Sequence, residues 1–440
     1  MCIVTRPVLR SVLDSQFEMR RSVYGPTAAA PSDRASLSSL ERALLELRDV
    51  WRRGIDRRLL SEVLPTLLMS GCGLMLSGVT LSFLMQSSEA FKAVPALVVL
   101  LPVLLGLKCC LEMTLASRLS TAFHTQLLSD AGPKDQRRSV IRANLGVVII
   151  QATCVALLAT AFAAGITSFE SEEGWVSLHH LVVLLSSAVL TSCIAALLLG
   201  MFTAYVVMES SRRNVDPDNI AGPLVTGMGD LLAVVLLGLT STVCFYFPVA
   251  TTILTALAIA MMPYCFRMAS AHRPTFVVLK TGWPPILANF VLSLIAGIFL
   301  EGDVDELMGG LATLVPVING TGGNIAGIYA SRFATSLHKG KRGGHETTGS
   351  TLALTTVPAH LAFLLILRVS PVDTTSVSLP IALAYLLAGT IQVLVLLRLG
   401  KYLVKRAWAR DLDPDNHVVP YLTALSDLIG TTSIVLLSKL

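Results

Sequence analysis

Asn219, Pro223, Thr226 and Asp230 are spaced by four, three and four residues, which lines them along one stripe of a helix. The same set returns 197 residues later as Asn416, Pro420, Thr423 and Asp427. Carboxylates, amides and hydroxyls are hard oxygen donors. They suit Mg²⁺, which keeps several waters and needs only one or two carboxylates, and they also accept Mn²⁺, Ca²⁺ or Na⁺. The chemistry to look for is therefore cation binding, with Asp230 and Asp427 as the charged ligands and Thr226 and Thr423 as neutral ones. Asn219 and Asn416, each following Asp-Pro-Asp, read as helix caps as readily as ligands.

The elements that carry these residues are set by composition. The 440 residues are 53% hydrophobic and 14% charged, with a mean hydropathy of +0.69, far to the apolar side of soluble proteins. The apolar residues gather in runs of about 20, enough to cross a bilayer core as a helix. Eleven such spans are expected: Leu64–Met85, Val94–Thr121, Leu145–Gly165, Leu181–Met208, Ile220–Thr240, Phe247–Phe266, Leu287–Leu300, Leu307–Leu337, Ser350–Val369, Ser378–Leu397 and His417–Leu437. Alternate connections then hold nearly all the Lys and Arg outside the spans, leaving Lys92, Arg368 and Lys439 on the other side. Basic loops stay cytoplasmic, so the N-terminus is expected inside and the C-terminus outside. The outer loops are acidic, with Glu170, Glu172 and Glu173 in one and Glu301, Asp303, Asp305 and Glu306 in another. The tail up to residue 63 ends in a basic amphipathic stretch, Leu40–Leu60, suited to anionic lipid. The plasma membrane is the expected location, and the Arg-rich tail is also compatible with the mitochondrial inner membrane. The eight cysteines form no disulfide framework.

A second repeat, at an offset of 214, pairs Pro102, Gly106, Ala116, Ser117, Arg118, Thr121 and His124 with Pro316, Gly320, Ala330, Ser331, Arg332, Thr335 and His338. The fold class expected is an all-α polytopic membrane protein: two parallel five-helix units joined by one linker helix about a pseudo-two-fold axis along the membrane normal. The divisions are a tail (1–63), a first unit (64–240), a linker helix (241–275) and a second unit (276–440). Asp230 lies ten residues into its helix, ~15 Å deep and so at the bilayer midplane. An acid there is a functional candidate by default. The run Asn319-Gly320-Thr321-Gly322-Gly323-Asn324 interrupts an apolar segment. Either it breaks the helix and presents carbonyls to a pore, or its small residues allow close helix packing. Lys108 and Glu112, one turn apart, are expected to pair.

Leu104–Thr121, Asp216–Asp230, Pro316–His338 and Asp413–Asp427 together resemble solute carrier family 41, the eukaryotic relatives of the Mg²⁺ channel MgtE. The run Glu-Met-Thr-Leu-Ala-Ser-Arg-Leu-Ser-Thr at Glu112–Thr121 is especially specific. The resemblance implies Mg²⁺ transport with Na⁺ exchange, and a monomer whose fused halves act as a pseudo-dimer. It implies Asp230 and Asp427 as the acids that hold Mg²⁺ and Asn324 as a pore-lining amide; from their places beside these residues, Asn319, Gly320, Gly322, Gly323, Cys109, Cys110, Pro223, Pro420, Asn219 and Asn416 are expected to line the pore. Where the family carries Gly-Asn, this chain has Cys109-Cys110, so the first unit lacks a match to Gly323-Asn324. Side chains of adjacent helical residues point about 100° apart and need not chelate one ion. Mg²⁺ is cargo and no cofactor is expected. The partners expected are the ion, Na⁺ and membrane lipids, not nucleic acid. A transporter or channel for another divalent cation, and a transport-degenerate regulatory member, are the alternatives. Gly227-Met228-Gly229-Asp230 and Pro95-Ala96-Leu97 also echo intramembrane aspartyl proteases, but in the wrong order.

Overall fold

The computed structural model describes residues 56–94, 96–125, 134–170, 177–213, 215–301, 310–340, 345–369 and 378–438. The expected amphipathic tail and both acidic outer loops lie largely outside these residues. The described chain is all helical: α1 Arg57–Ser87, α2 Glu89–Ala93, α3 Ala96–His124, α4 Lys134–Glu170, α5 Leu178–Arg212, α6 Pro217–Tyr246, α7 Pro248–Ala260, α8 Met262–Ser270, α9 Arg273–Thr281, α10 Trp283–Glu301, α11 Gly310–His338, α12 His345–Val369, α13 Leu379–Trp408, α14 Pro414–His417 and α15 Val419–Ser438.

Among the described residues, eight segments are long and apolar enough to cross a membrane. A ninth arises if α9 and α10, bent by 42° at their junction, count as one span. Eleven were expected; α3 and α11 fall outside the set. The polar run Asn319 to Asn324 interrupts the apolar segment of α11, and for α3 the count covers only part of the helix. Large apolar side chains such as Phe83, Val249, Ile253, Leu383 and Leu387 face outward, as a surface in contact with lipid requires.

Both helices that carry the repeated acids begin in the same way. Asp216 caps α6 and accepts a hydrogen bond from the Asp218 N–H, with Pro217 opening the helix. Asp413 does the same for α14 through Asp415 and Pro414. The caps are thus the aspartates, and Asn219 and Asn416 are not caps. Proline has no N–H to donate and fits the first turn well. Pro223 is absorbed inside a continuous α6, whereas the chain breaks between α14 and α15 just before Pro420.

α6 packs against α1, α3 and α5, and α15 packs against α11, α10, α13 and α3. α7 and α8 together form the span Pro248–Ser270, whose most apolar stretch is only 17% buried, against 61% for Pro414–Leu437. The segment expected as a linker is therefore far less enclosed than the span that carries Asp427. α11 runs unbroken through its glycines, so the close-packing reading of that segment is the one realised. A Cβ added at Gly322 would lie 2.5 Å from Ser426 Oγ and 2.6 Å from Gln392 Nε2.

The tightest backbone approach joins α1 to α6. A Cβ at Gly227 would fall 2.5 Å from Ser70 Cα, and one at Gly73 would fall 2.5 Å from the Gly227 carbonyl oxygen. Backbone cannot swing aside as a side chain can. Gly227→Ala should therefore destabilise the protein by about 1–3 kcal/mol, seen as a lower thermal midpoint in detergent. Gly78→Ala, with nothing within 4 Å of the new methyl group, should leave the midpoint unchanged or raise it.

Candidate cation site

The two repeated acids lie close enough for their charges to interact, but their surroundings differ. Asp230 on α6 is held by Lys108 of α3, whose Nζ lies 3.1 Å from Asp230 Oδ1. The same ammonium lies 3.5 Å from Glu112 Oε2, which confirms the expected i, i+4 pair. Glu112 is 3% exposed, and neither of its oxygens has a hydrogen-bond partner. Gly229 makes room for this triad, because a Cβ there would collide with the Glu112 carboxylate and lie 2.7 Å from Lys108 Nζ.

Among the described residues, Asp427 on α15 makes no hydrogen bond or ion pair. Its Oδ2 faces Gly106 of α3: a Cβ at Gly106 would lie 3.8 Å from Asp427 Oδ2 and 2.5 Å from Ser293 Oγ of α10. Asn289, one turn before Ser293, donates from Nδ2 to the Gly106 carbonyl at 3.1 Å. Asn289 Oδ1 and Ser293 Oγ are both buried without a partner. One carboxylate and two residues with uncommitted neutral oxygens are thus gathered around Gly106, and oxygens of these kinds are what a hard cation accepts. Sequence reasoning missed Asn289 and Ser293, although two polar residues one turn apart in so apolar a helix are a legible signal.

The remaining residues singled out from sequence distribute as follows. Thr226 donates to the Gly222 carbonyl and Thr423 to the Pro420 carbonyl, so both hydroxyls are turned onto their own helices. Asn324 donates to Ser70 Oγ at 3.0 Å. Asn319 donates to Thr431 Oγ1, and its carbonyl accepts from Ser426 Oγ. Gln392 in turn donates to Ser426. Ser426 stands where the first unit has Gly229, so a polar mesh in one half replaces a charged triad in the other. Gly320 packs on Leu74, and Gly323 lies against Thr423. Cys110 is buried in the apolar core built on α3 to α6, while Cys109 borders the other core, around α11 and α13. The two thiols diverge, as their adjacency on a helix requires. Pro223 and Pro420 are buried near the starts of their helices.

Asn219 and Asn416 belong to a different level, where α3 and α11 end and α6 and α14 begin. There Ser117 Oγ lies 2.8 Å from Ser331 Oγ, and Thr121 meets Thr335 at 3.1 Å. Each pair joins positions related by the 214-residue repeat. Ser331 also donates to Asp218, while Ser117 and Thr121 donate to Asp415. Arg332 bonds Asp216 and Asn219, and Arg118 reaches Asn416. These arginines bridge from one repeat to the other. His124 pairs with Asp216 and His338 with Asp413. Burial opposes ionisation of Asp216, but the His124 hydrogen bond and the Arg332 guanidinium outweigh it and hold the carboxyl below its usual value. His124, Asp216 and Asp218 could group around a metal, as could His338, Asp413 and Asp415. In the first group the Arg332 guanidinium, 2.9 Å from Asp216 Oδ2, already supplies positive charge. Beside it opens a cavity of about 440 Å³ lined by Glu62, His124, Asp216, Asn219 and Arg332.

The MgtE family profile, described as a divalent cation transporter, matches residues 101–240 and 315–437. These two stretches contain Lys108, Asp230 and Asp427. Solute carrier family 41 member 3 of Rattus norvegicus is 35% identical over 403 residues, covering 85% of this chain and 86% of the relative. The chain belongs to solute carrier family 41. Member 2 of that family from Homo sapiens is 33% identical over 443 residues, covering 94% of this chain and 76% of the relative. Among solved structures, the eukaryotic MATE transporter AtDTX14 aligns with 90% of this chain and 96% of its own at 12% identity and a TM-score of 0.40, too slight a likeness to bear on this family member's fold. As a family 41 protein it is a multi-pass membrane protein of the divalent cation transporter class.

The paired hydroxyls give a direct test of how the two repeats meet. Ser117→Cys combined with Ser331→Cys should crosslink rapidly under mild oxidation, because the native Oγ atoms are 2.8 Å apart and a disulfide needs closely approaching Cβ atoms. The mobility shift on a denaturing gel should be absent from either single variant. Failure of the double variant to crosslink would show that these helix ends do not meet.

Proposed function

We propose that this protein is a Mg²⁺ transporter in which the ion crosses the bilayer midplane at Asp427, near the axis between two repeated halves. The observation that carries this reading is Asp427 itself, a carboxylate that makes no hydrogen bond or ion pair among the described residues and lies beside Gly106, which Asn289 bonds and Ser293 also approaches. A mid-membrane acid left without a protein partner is stabilised by the arrival of a cation. Neutral oxygens beside one carboxylate match the needs of an ion that keeps much of its water. Divalent cations other than Mg²⁺ fit the same donors, so selectivity rests on the size of the space and on ligand number.

In this reading α3 and α11 also cross the membrane and bring the spans to eleven. The hydroxyl level, from Ser117 to Thr335, lies at the cytoplasmic end and closes the path there. Asp230 and Asp427 come from equivalent helices of two parallel units. Coupling to Na⁺ is an extension of the same proposal, since a Na⁺ gradient supplies the energy for moving Mg²⁺ against its own. The protease reading loses its support because both glycines of Gly227-Met228-Gly229-Asp230 serve packing, one against Ser70 and one against the Lys108–Glu112 pair. Restoring Gly-Asn at Cys109-Cys110 would place an amide in the apolar core where Cys110 lies, so those thiols are packing groups in this account.

Mg²⁺ uptake into proteoliposomes, measured with and without an opposing Na⁺ gradient, tests the whole reading. Asp427→Asn should reduce flux at least ~10-fold while leaving the amount of folded protein unchanged, because the amide keeps the shape and removes a charge that is strong in a low-dielectric site. Near-normal flux in Asp427→Asn would show that the acid is structural. Indifference to the Na⁺ gradient would remove the coupling but leave the site.

A further inference from the structure

The two repeats place different charges around equivalent acids. Position 108 is lysine in the first repeat, and its counterpart 214 residues on is Gly322; position 112 is glutamate, and its counterpart is Ala326. The ammonium of Lys108 therefore exists in one half only, and there it sits between two carboxylates, 3.1 Å from Asp230 and 3.5 Å from Glu112. One ammonium cannot neutralise two ionised acids. Glu112 is nearly fully buried, with neither oxygen hydrogen-bonded, so it is a polar side chain aimed into the cluster without a donor of its own. A cavity of about 40 Å³, lined by Lys108, Glu112, Thr191 and Ser192 among others, adjoins the pair. That volume can hold water or a partly hydrated ion.

We propose that Lys108 is a tethered cation that fills the Asp230–Glu112 carboxylate pair and so restricts the protein to a single divalent ion, held at Asp427. The inference rests on the Asp427 reading above and adds a residue that sets ion stoichiometry. Two carboxylates on either side of one position are the donors a divalent cation would take, and the lysine side chain supplies positive charge there without exchange. Removing the ammonium should then open a second divalent site rather than merely weaken the first.

The experiment counts bound ions on the full chain in lipid nanodiscs, with Mn²⁺ as the paramagnetic probe at saturating concentration. The unchanged protein should bind one Mn²⁺, and Lys108→Met should bind two, with dipolar broadening of the spectrum from two nearby spins. Lys108→Met combined with Glu112→Gln should return the count to one, and Lys108→Arg should keep it at one. A folded Lys108→Met that still binds one Mn²⁺ overturns the proposal. Should Lys108→Met fail to fold, Asp230→Asn decides: retention of the single Mn²⁺ supports the proposal, and its loss shows that Asp230 is already a ligand and overturns it. Failure of the Asp427 reading looks different, because Asp427→Asn would then keep the ion it is expected to lose. No Mn²⁺ on the unchanged protein overturns both.

Discussion

A carboxylate in the middle of a membrane-spanning bundle must meet positive charge, and the organisation of this protein follows from how its two equivalent acids do so. Asp230 meets the charge of Lys108 from a neighbouring helix. Asp427, among the described residues, meets none and lies beside Gly106. Once the ammonium is in place, the helices around it have little freedom. α3 must run close to α6, and position 229 must lack a side chain. In the other half no ammonium has to be accommodated. Ser426 fills the corresponding position and draws Gln392 and Asn319 into a neutral mesh.

The far end of the same helices solves a different problem. Helix starts expose N–H groups and carry partial positive charge, which Asp216 and Asp413 satisfy directly. The adjoining Asp218 and Asp415 then accept from Ser331, Ser117 and Thr121 on the ends of α11 and α3. Each aspartate is anchored to its own helix and bonded to a hydroxyl from the opposite repeat. Contacts of this kind hold two halves in register without sealing them together, since neutral O–H donors are only moderately strong even in a dry interior. Apolar packing crosses between the repeats as well, with Leu59, Val63, Leu67 and Met113 in one cluster with Ile325, Tyr329 and Leu396.

Much of this was legible in the sequence. The stripe Asn219–Pro223–Thr226–Asp230 and its copy identified the central helices, and the spacing of Lys108 and Glu112 identified an ion pair. Family membership followed from the same segments. What periodicity could not show was which charges meet across helices. Nothing in the spacing of Lys108 to Asp230, 122 residues away, marks them as neighbours, and the single-copy lysine becomes informative only once the two acids are compared. The glycine run of α11 illustrates the same limit. Glycine both weakens helices and permits their close approach, and only the neighbours Ser426 and Gln392 decide that the helix stays whole. Thr226 and Thr423 lie on the stripe but are turned back to their own carbonyls, a side-chain choice that helical spacing does not fix.

Both repeats are encoded in one polypeptide, and α7 and α8 carry the chain from one to the other. In an assembly of two identical subunits, every substitution appears twice, so a lysine beside one acid would be a lysine beside both. Covalent fusion lifts that restriction. Each half can then change at position 108 or 322, 229 or 426, without imposing the change on its twin. Lys108 beside Asp230, with Gly322 at the matching position of the other repeat, is a difference of that kind, open to a fused chain and closed to a pair of identical ones.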